Sequence, residues 1–252
     1  MREKICTFSG IHISPADPRP EEICIEDIAH ALSLMTRANG HFPVFYSVAQ
    51  HSLDCAAMAQ AEGRSSREVL ACLLHDASEA YLSDITRPVK GCLPEYRRIE
   101  QVLQEMIYEK YLIAPPTERE REIVKRMDDT CLYYEFEHFT GEKLFDVAPQ
   151  AAVLPEYREC PMREVEKKFL ALFEKLMAQT VQEDGVRVAE KTFAIENGAA
   201  IDVKISVDHD MVEVFVGEQV AFTYRIFRKP EYELGLLAQD AKVEFANIAI
   251  RK

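Results

Sequence analysis

The sequence lacks any apolar stretch approaching ~18 residues, so no membrane span is expected. Its opening, "MREKICTFSG", lacks the apolar centre of an export signal. It also lacks a basic excess: 30 Lys and Arg against 43 Asp and Glu give a formal net charge of −13. A protein that tracks a nucleic-acid backbone needs basic surface to displace counterions, so no nucleic-acid partner is expected. A small phosphorylated ligand is not excluded, because one local arginine suffices for it. The seven cysteines are odd in number, and no two stand at CxxC spacing. They read as reduced thiols in a cytoplasmic protein, and a thiolate metal site is not expected for the same reason. There is no tryptophan, no internal repeat and no low-complexity tract.

What is present is an ordinary share of apolar residues, 48%, beside 29% charged ones. Over 252 residues that allows a sizeable core in one large or two small domains. The pattern changes near residue 185. Before it, apolar residues recur mostly at helical spacing; after it, β-branched and aromatic residues alternate with polar ones. "AIDVKISV", "MVEVFVGEQVAFTYRIF" and "AKVEFANIAI" read as strands, with "VDHDM" and "VGEQV" as tight turns. The polar stretch "AQTVQEDGVRV" sets the joint at about 181–186. The expected fold class is a mainly α helical bundle over residues 1–182, followed by a small antiparallel β module over 186–252.

The N-terminal "ICTFSGIHISPADPRPEEICIED" reads as irregular, with room for one short hairpin. Helices are expected over 25–38, 47–63, 65–82, 94–112, 116–141 and 161–179. Ser47, Ser65 and Thr117 stand as N-caps, the second in an S-x-x-E capping box. Gly63 and Gly141 stand as stops, and Pro94 lies in a first turn.

The stretch "LACLLHDASEAYL" carries the chemistry. On one continuous helix His75, Asp76 and Glu79 share a side, while Leu70, Leu73, Leu74 and Ala77 cover the buried surface. An imidazole and two carboxylates at the end of so apolar a run need a partner, and a divalent cation is one. His51 and Asp128 are the candidates for further ligands, since each lies near the apolar face of an amphipathic helix. Val48 and Cys55 flank His51; Val124 and Cys131 flank Asp128. Taken singly, each has a plainer explanation: a histidine satisfied inside a core, or an Asp128 paired with Arg126 or Lys125 at the surface.

The order His51, His75-Asp76, Asp128 resembles the signature of the HD superfamily of metal-dependent phosphohydrolases. "HDASEAYLSDITRPVK" resembles a block of the bacterial HD 5′-nucleotidases, and "ICIEDIAHALSLMTRANGHFPVFYSVAQHS" the start of prophage-type and bacterial HD hydrolases. "VKRMDDTCLYYEFEHF" resembles their fifth-helix block, with Asp128 rather than Asp129 at the ligand position. The resemblance covers roughly residues 5–175. It implies one divalent ion (Mn, Co, Fe, Ni, Zn or Mg) held by His51, His75, Asp76 and Asp128. It implies that Glu79 lies near the attacking water, that Asp84 is a second catalytic acid and that Arg37 holds the substrate phosphate. Glu79 and Asp84 also fit solvated helix-end acids, and Arg37 a basic residue at a helix C-terminus. Where the nucleotidases place a tryptophan after that arginine, this chain has Ala38. Dinuclear HD enzymes need extra histidines between His75 and His138, and none occurs here, so one metal is favoured. Alarmone hydrolases carry a second acid where Ala80 stands, and the triphosphohydrolases a Gly/His-rich continuation that is missing.

The implied activity is hydrolysis of a nucleoside 5′-monophosphate to nucleoside and phosphate. The alternatives are an HD hydrolase of another phosphoester or a pyrophosphate, and a metal- or nucleotide-binding protein without turnover. The β segment resembles part of the C-terminal β-sandwich of family 32 glycoside hydrolases. Its core is marginal for about 65 residues, so it is expected to pack on the helical part or on a second copy in a homodimer. It shows no paired carboxylates or aromatic platform for sugar hydrolysis, and Asp208-His209-Asp210 reads as a polar turn.

Overall fold

A computed structural model describes residues 4–112, 114–184, 203–208, 211–216 and 219–225. The chain divides into two compact units, Met1–Arg187 and Val188–Lys252. The first opens with the expected short hairpin, β1 (Ile5–Cys6) on β2 (His12–Ile13), pairing Ile5 with Ile13. The helices that follow are α1 (Ile25–Leu34), α2 (Val48–Ala61), α3 (Ser66–Leu73), α4 (Glu79–Leu82), α5 (Arg87–Lys90), α6 (Pro94–Leu112), α7 (Glu118–Thr140) and α8 (Met162–Asp184). The architecture is mainly helical with small antiparallel sheets. No described helix is long and apolar enough to cross a membrane. All seven cysteines are free thiols.

Local chemistry fixes four of the helix ends. Ser47, Ser65 and Thr117 each close a capping box, with Gln50, Glu68 and Glu120. Gly141 ends α7 at φ 75°, where a β-carbon is disfavoured. The central helix is α3, which packs on α2, α6, α7 and α8. Its residues Val69 to Leu73 are all at most 1% exposed. Truncating Leu70 or Leu73 to Ala would cost about 2–5 kcal/mol, the usual range for a closed core site.

Two expected helices are shorter than their apolar periodicity implies. The helix expected over 25–38 stops at Leu34, and Arg37–Gly40 forms a separate 3-10 turn with Ala38 and Asn39 at positive φ. The backbone there is pinned by Arg37 N–H donating to the Tyr46 carbonyl at 2.8 Å. The helix expected over 65–82 is broken after Leu73, and His75–Ser78 run in turns before α4. In a continuous helix Ser78 N–H would bond the Leu74 carbonyl. Instead the Gln104 side chain on α6 takes both groups, donating to Leu74 O at 2.8 Å and accepting from Ser78 N at 3.0 Å. A side chain inserted into the helical ladder is an established cause of a break. The sharing of one helix side by His75, Asp76 and Glu79 therefore does not hold.

The segment between Arg37 and Ser47 is fastened to the end of α7 by aromatic packing. Phe42 stacks on Phe139 with centroids 4.6 Å apart, and Tyr46 lies 5.2 Å from the same ring. In the second unit β3 (Val203–Asp208), β4 (Met211–Val216) and β5 (Gln219–Arg225) form an antiparallel sheet in that order. Val207 faces Val212 and Val212 faces Tyr224, with a register shift at Val214/Phe215. The expected strand "AKVEFANIAI" and both turns lie outside the described residues, as do the contacts of this segment with a helical part or a second copy.

Candidate metal centre

The break after α3 has a consequence for chemistry. Leaving the helix, His75 turns its Nδ1 back to donate to the Cys72 carbonyl at 2.7 Å. Its Nε2 then carries the lone pair. His51, completely buried on α2, donates its Nδ1–H to Glu135 Oε1 on α7 at 2.6 Å. Its Nε2 also turns inward, and the two Nε2 atoms face each other at 3.2 Å. Two lone pairs at that separation require a proton or a cation between them.

The carboxylates stand at the same place. Asp128 Oδ1 is 3.2 Å from His51 Nε2 and 3.8 Å from His75 Nε2. Asp76 Oδ2 is 3.2 Å from His75 Nε2 and 3.8 Å from His51 Nε2. The structure thus brings together all four residues singled out as ligands, from α2, the turn after α3, and α7. Two imidazole nitrogens and two carboxylate oxygens with spare lone pairs fit a divalent cation by donor chemistry. Asp129, the neighbour, turns away to Arg87 Nη1 at 2.7 Å and Lys125 Nζ at 2.6 Å. The surface pairing of Asp128 with Arg126 or Lys125 does not form; its second oxygen meets Arg87 at 2.6 Å.

The electrostatics favour positive charge at this point. Burial and the Arg37 guanidinium push His51 toward neutrality, yet Glu135 and Asp128 outweigh them and hold its pKa well above the ordinary value. Burial raises the Asp76 carboxyl, but the two histidines and Arg37 bring it well below the usual range. Arg37 is 9% exposed and sits among acids: Nη1 is 3.6 Å from Asp76 and 3.7 Å from Asp84, and Nη2 is 3.5 Å from Glu135. It is no helix-terminal base, since α1 has already ended. Asp84 is turned toward it by Ser83, which adopts φ 85° at the end of α4. Burial raises the Asp84 carboxyl, against the pull of Arg37. Glu79 is 2% exposed rather than a solvated helix-end acid, and Lys90 donates to its Oε1 at 2.8 Å. Burial, Asp76 and Asp84 push its carboxyl well up. Lys90 also reaches Glu100 at 2.6 Å.

An open cleft of about 770 Å³ between α6 and α7 reaches the centre through His75, Asp76 and Asp128. Its walls carry Lys90, Arg97, Arg98, Arg121 and Lys125; His51, Arg37, Glu79 and Asp84 are not among them. Several of these neighbours were missed by the sequence reading. Glu135 follows Asp128 by seven residues, two helical turns on the same face, which is a usable signal for a fully buried acid. Gln104, Arg87 and Lys90 carry no such local mark. Cys55, one turn after His51, is buried, and its Sγ lies 3.7 Å from His51 Nε2.

Comparison with known proteins adds one family match and two relatives. Residues 164–252 match the family described as "Glycosyl hydrolases family 32 C terminal". This is the likeness expected of the β segment, extended backward into α8. The chain is 35% identical over 161 residues to "Uncharacterized protein YfdR" of Escherichia coli (strain K12), spanning 58% of this chain and 86% of that protein. It is 34% identical over 143 residues to an uncharacterized protein of Rhodobacter capsulatus, spanning 53% of this chain and 71% of the relative. The chain belongs to the family that contains YfdR.

Proposed function

We propose that this protein is a metal-dependent phosphohydrolase of the HD superfamily that converts a nucleoside 5′-monophosphate to nucleoside and phosphate. The observation that carries the reading is the meeting of His51, His75, Asp76 and Asp128, each imidazole Nε2 lying 3.2–3.8 Å from the other and from both carboxylates. A divalent ion there, one of Mn, Co, Fe, Ni, Zn or Mg, would supply Lewis acidity toward water and toward a phosphoryl oxygen. The chain's own groups do the rest. Glu135 and the Cys72 carbonyl orient the two imidazoles. Arg37 offsets charge on the phosphoryl oxygens. Glu79, whose carboxyl is pushed up by burial and by Asp76, exchanges a proton with water or the leaving alcohol. Lys90 both lines the cleft and steadies Glu79. Asp84, facing Arg37, is the second acid.

The test is phosphate release from a panel of nucleoside 5′-monophosphates, cyclic nucleotides and pyrophosphates, each with added divalent metals. Nucleoside plus phosphate is expected. Ring opening or pyrophosphate cleavage alone points to another HD hydrolase, and bound metal without turnover to a binding protein. Glu79→Ala should keep its metal and lose roughly 10²–10⁴-fold in turnover. Unchanged turnover removes Glu79 from the mechanism.

A further inference from the structure

We propose that Cys55 gives this centre a second, thiophilic ligand set: His51 Nε2, Cys55 Sγ and His75 Nε2, which takes Zn(II) or Cd(II). The inference rests on the reading above only in that the pair of histidines holds a cation. His51 and Cys55 are one helical turn apart on α2, so their side chains share a face. The sulfur and the two ring nitrogens lie within 4.8 Å of one another. For a tetrahedral Zn(II) with nitrogen at about 2.05 Å and sulfur at about 2.3 Å, the N···S edge is roughly 3.6 Å and the N···N edge roughly 3.4 Å. The structure has 3.7 Å and 3.2 Å for the two pairs that His51 makes, and the third pair, Cys55 Sγ with the His75 nitrogen, lies within 4.8 Å.

The two ligand sets differ in where they lie and what they prefer. The Asp76 and Asp128 side chains are 18% and 23% exposed, and both line the cleft. Cys55 is 1% exposed and does not line it. The histidine pair therefore has hard oxygen donors on its open side and a soft sulfur on its buried side. Hard ions such as Mn(II) or Mg(II) are held by nitrogen and oxygen; Zn(II) and Cd(II) gain a thiolate as well. The thiol proton leaves to solvent as the S–metal bond forms. A small apolar residue would fill the same core space, but only sulfur gives the site this choice. The absence of CxxC spacing hides such a site in the sequence, because the partner of the thiolate here is a histidine one turn away.

The test uses the full chain, stripped of metal by a chelator and titrated with Co(II) as a spectroscopic probe. A thiolate-to-Co(II) charge-transfer band is expected at one equivalent. It should persist when the surface thiols Cys6 and Cys92 are changed to Ser and vanish in both Cys55→Ser and Cys55→Ala, with thermal melting confirming that each variant is folded. In Cys55→Ala, Cd(II) affinity should fall at least about tenfold while Mn(II) affinity holds. Co(II) bound without the band, or a band that survives Cys55→Ala, overturns the role of Cys55 and leaves the nitrogen–oxygen site standing. No binding of any of these ions removes both.

Discussion

Asp128 and Asp129 are adjacent on α7 and have opposite surroundings. Asp128 Oδ1 faces both imidazoles, whereas Asp129 is held by Arg87 and Lys125 at the surface. Asp128→Ala should lose the cation, and Asp129→Ala should keep it, as read by metal content after dialysis. The reverse result places the wrong aspartate in the centre. Asp54, one helical position before Cys55, offers a test of the surrounding electrostatics. Burial pushes its carboxyl up from 3.8 to about 6, against the Tyr46 hydroxyl that donates to it, and Glu135 adds to the rise. The folded chain then holds this proton more tightly than the unfolded chain between about pH 4 and 6. Its contribution to stability is greatest below that window and is lost as pH rises through it. Asp54→Asn should therefore gain on the wild type between pH 4 and 7. Asp54 keeps some solvent contact, so the gain is put at roughly 1–2 kcal/mol, below the full value of the shift. A difference in melting temperature that does not vary with pH contradicts the assignment.

At the scale of elements, the decisive feature is the break between α3 and α4. Gln104→Leu leaves Ser78 N without its partner, while Leu74 O keeps the Ala77 N–H at 3.0 Å, at a cost of roughly 1–3 kcal/mol unless the helix heals into a continuous one. Either outcome moves His75 and Asp76, so cation affinity should fall in a calorimetric titration; an unchanged affinity would show that the break does not position them. The same feature marks where sequence reading stops. The bounds of α6, those of α7 to within two residues, the three N-caps and the first hairpin follow from local signals, and the structure has them. The break does not, because the group that causes it is 26 to 30 residues away on another helix and no Gly or Pro stands between Leu74 and Ser78. The site shows the same division. His51, His75, Asp76 and Asp128 are legible from their order and their placement near apolar faces. The surroundings of Arg37 and Glu79 depend on α5 and on the early end of α1, neither of which periodicity reveals.

For the whole molecule, the net charge of −13 contrasts with the cleft walls. Five cations line them, and apart from Asp76 and Asp128 the acids there are Glu100 and Glu105. On an otherwise acidic protein such walls would favour a small anion beside His75, Asp76 and Asp128. The centre and its partners all lie in the first unit, and the family 32 likeness belongs to residues 164–252. The central claim is that these partners hold one catalytic cation. It is tested most directly by metal-stripped full-length protein, reloaded with each candidate metal, with phosphate release from nucleoside 5′-monophosphates measured beside Asp76→Ala. One ion per chain is expected, with release that appears only with metal and loss of both in Asp76→Ala. Phosphate release that persists in the presence of chelator, or a full complement of metal in Asp76→Ala, would contradict it.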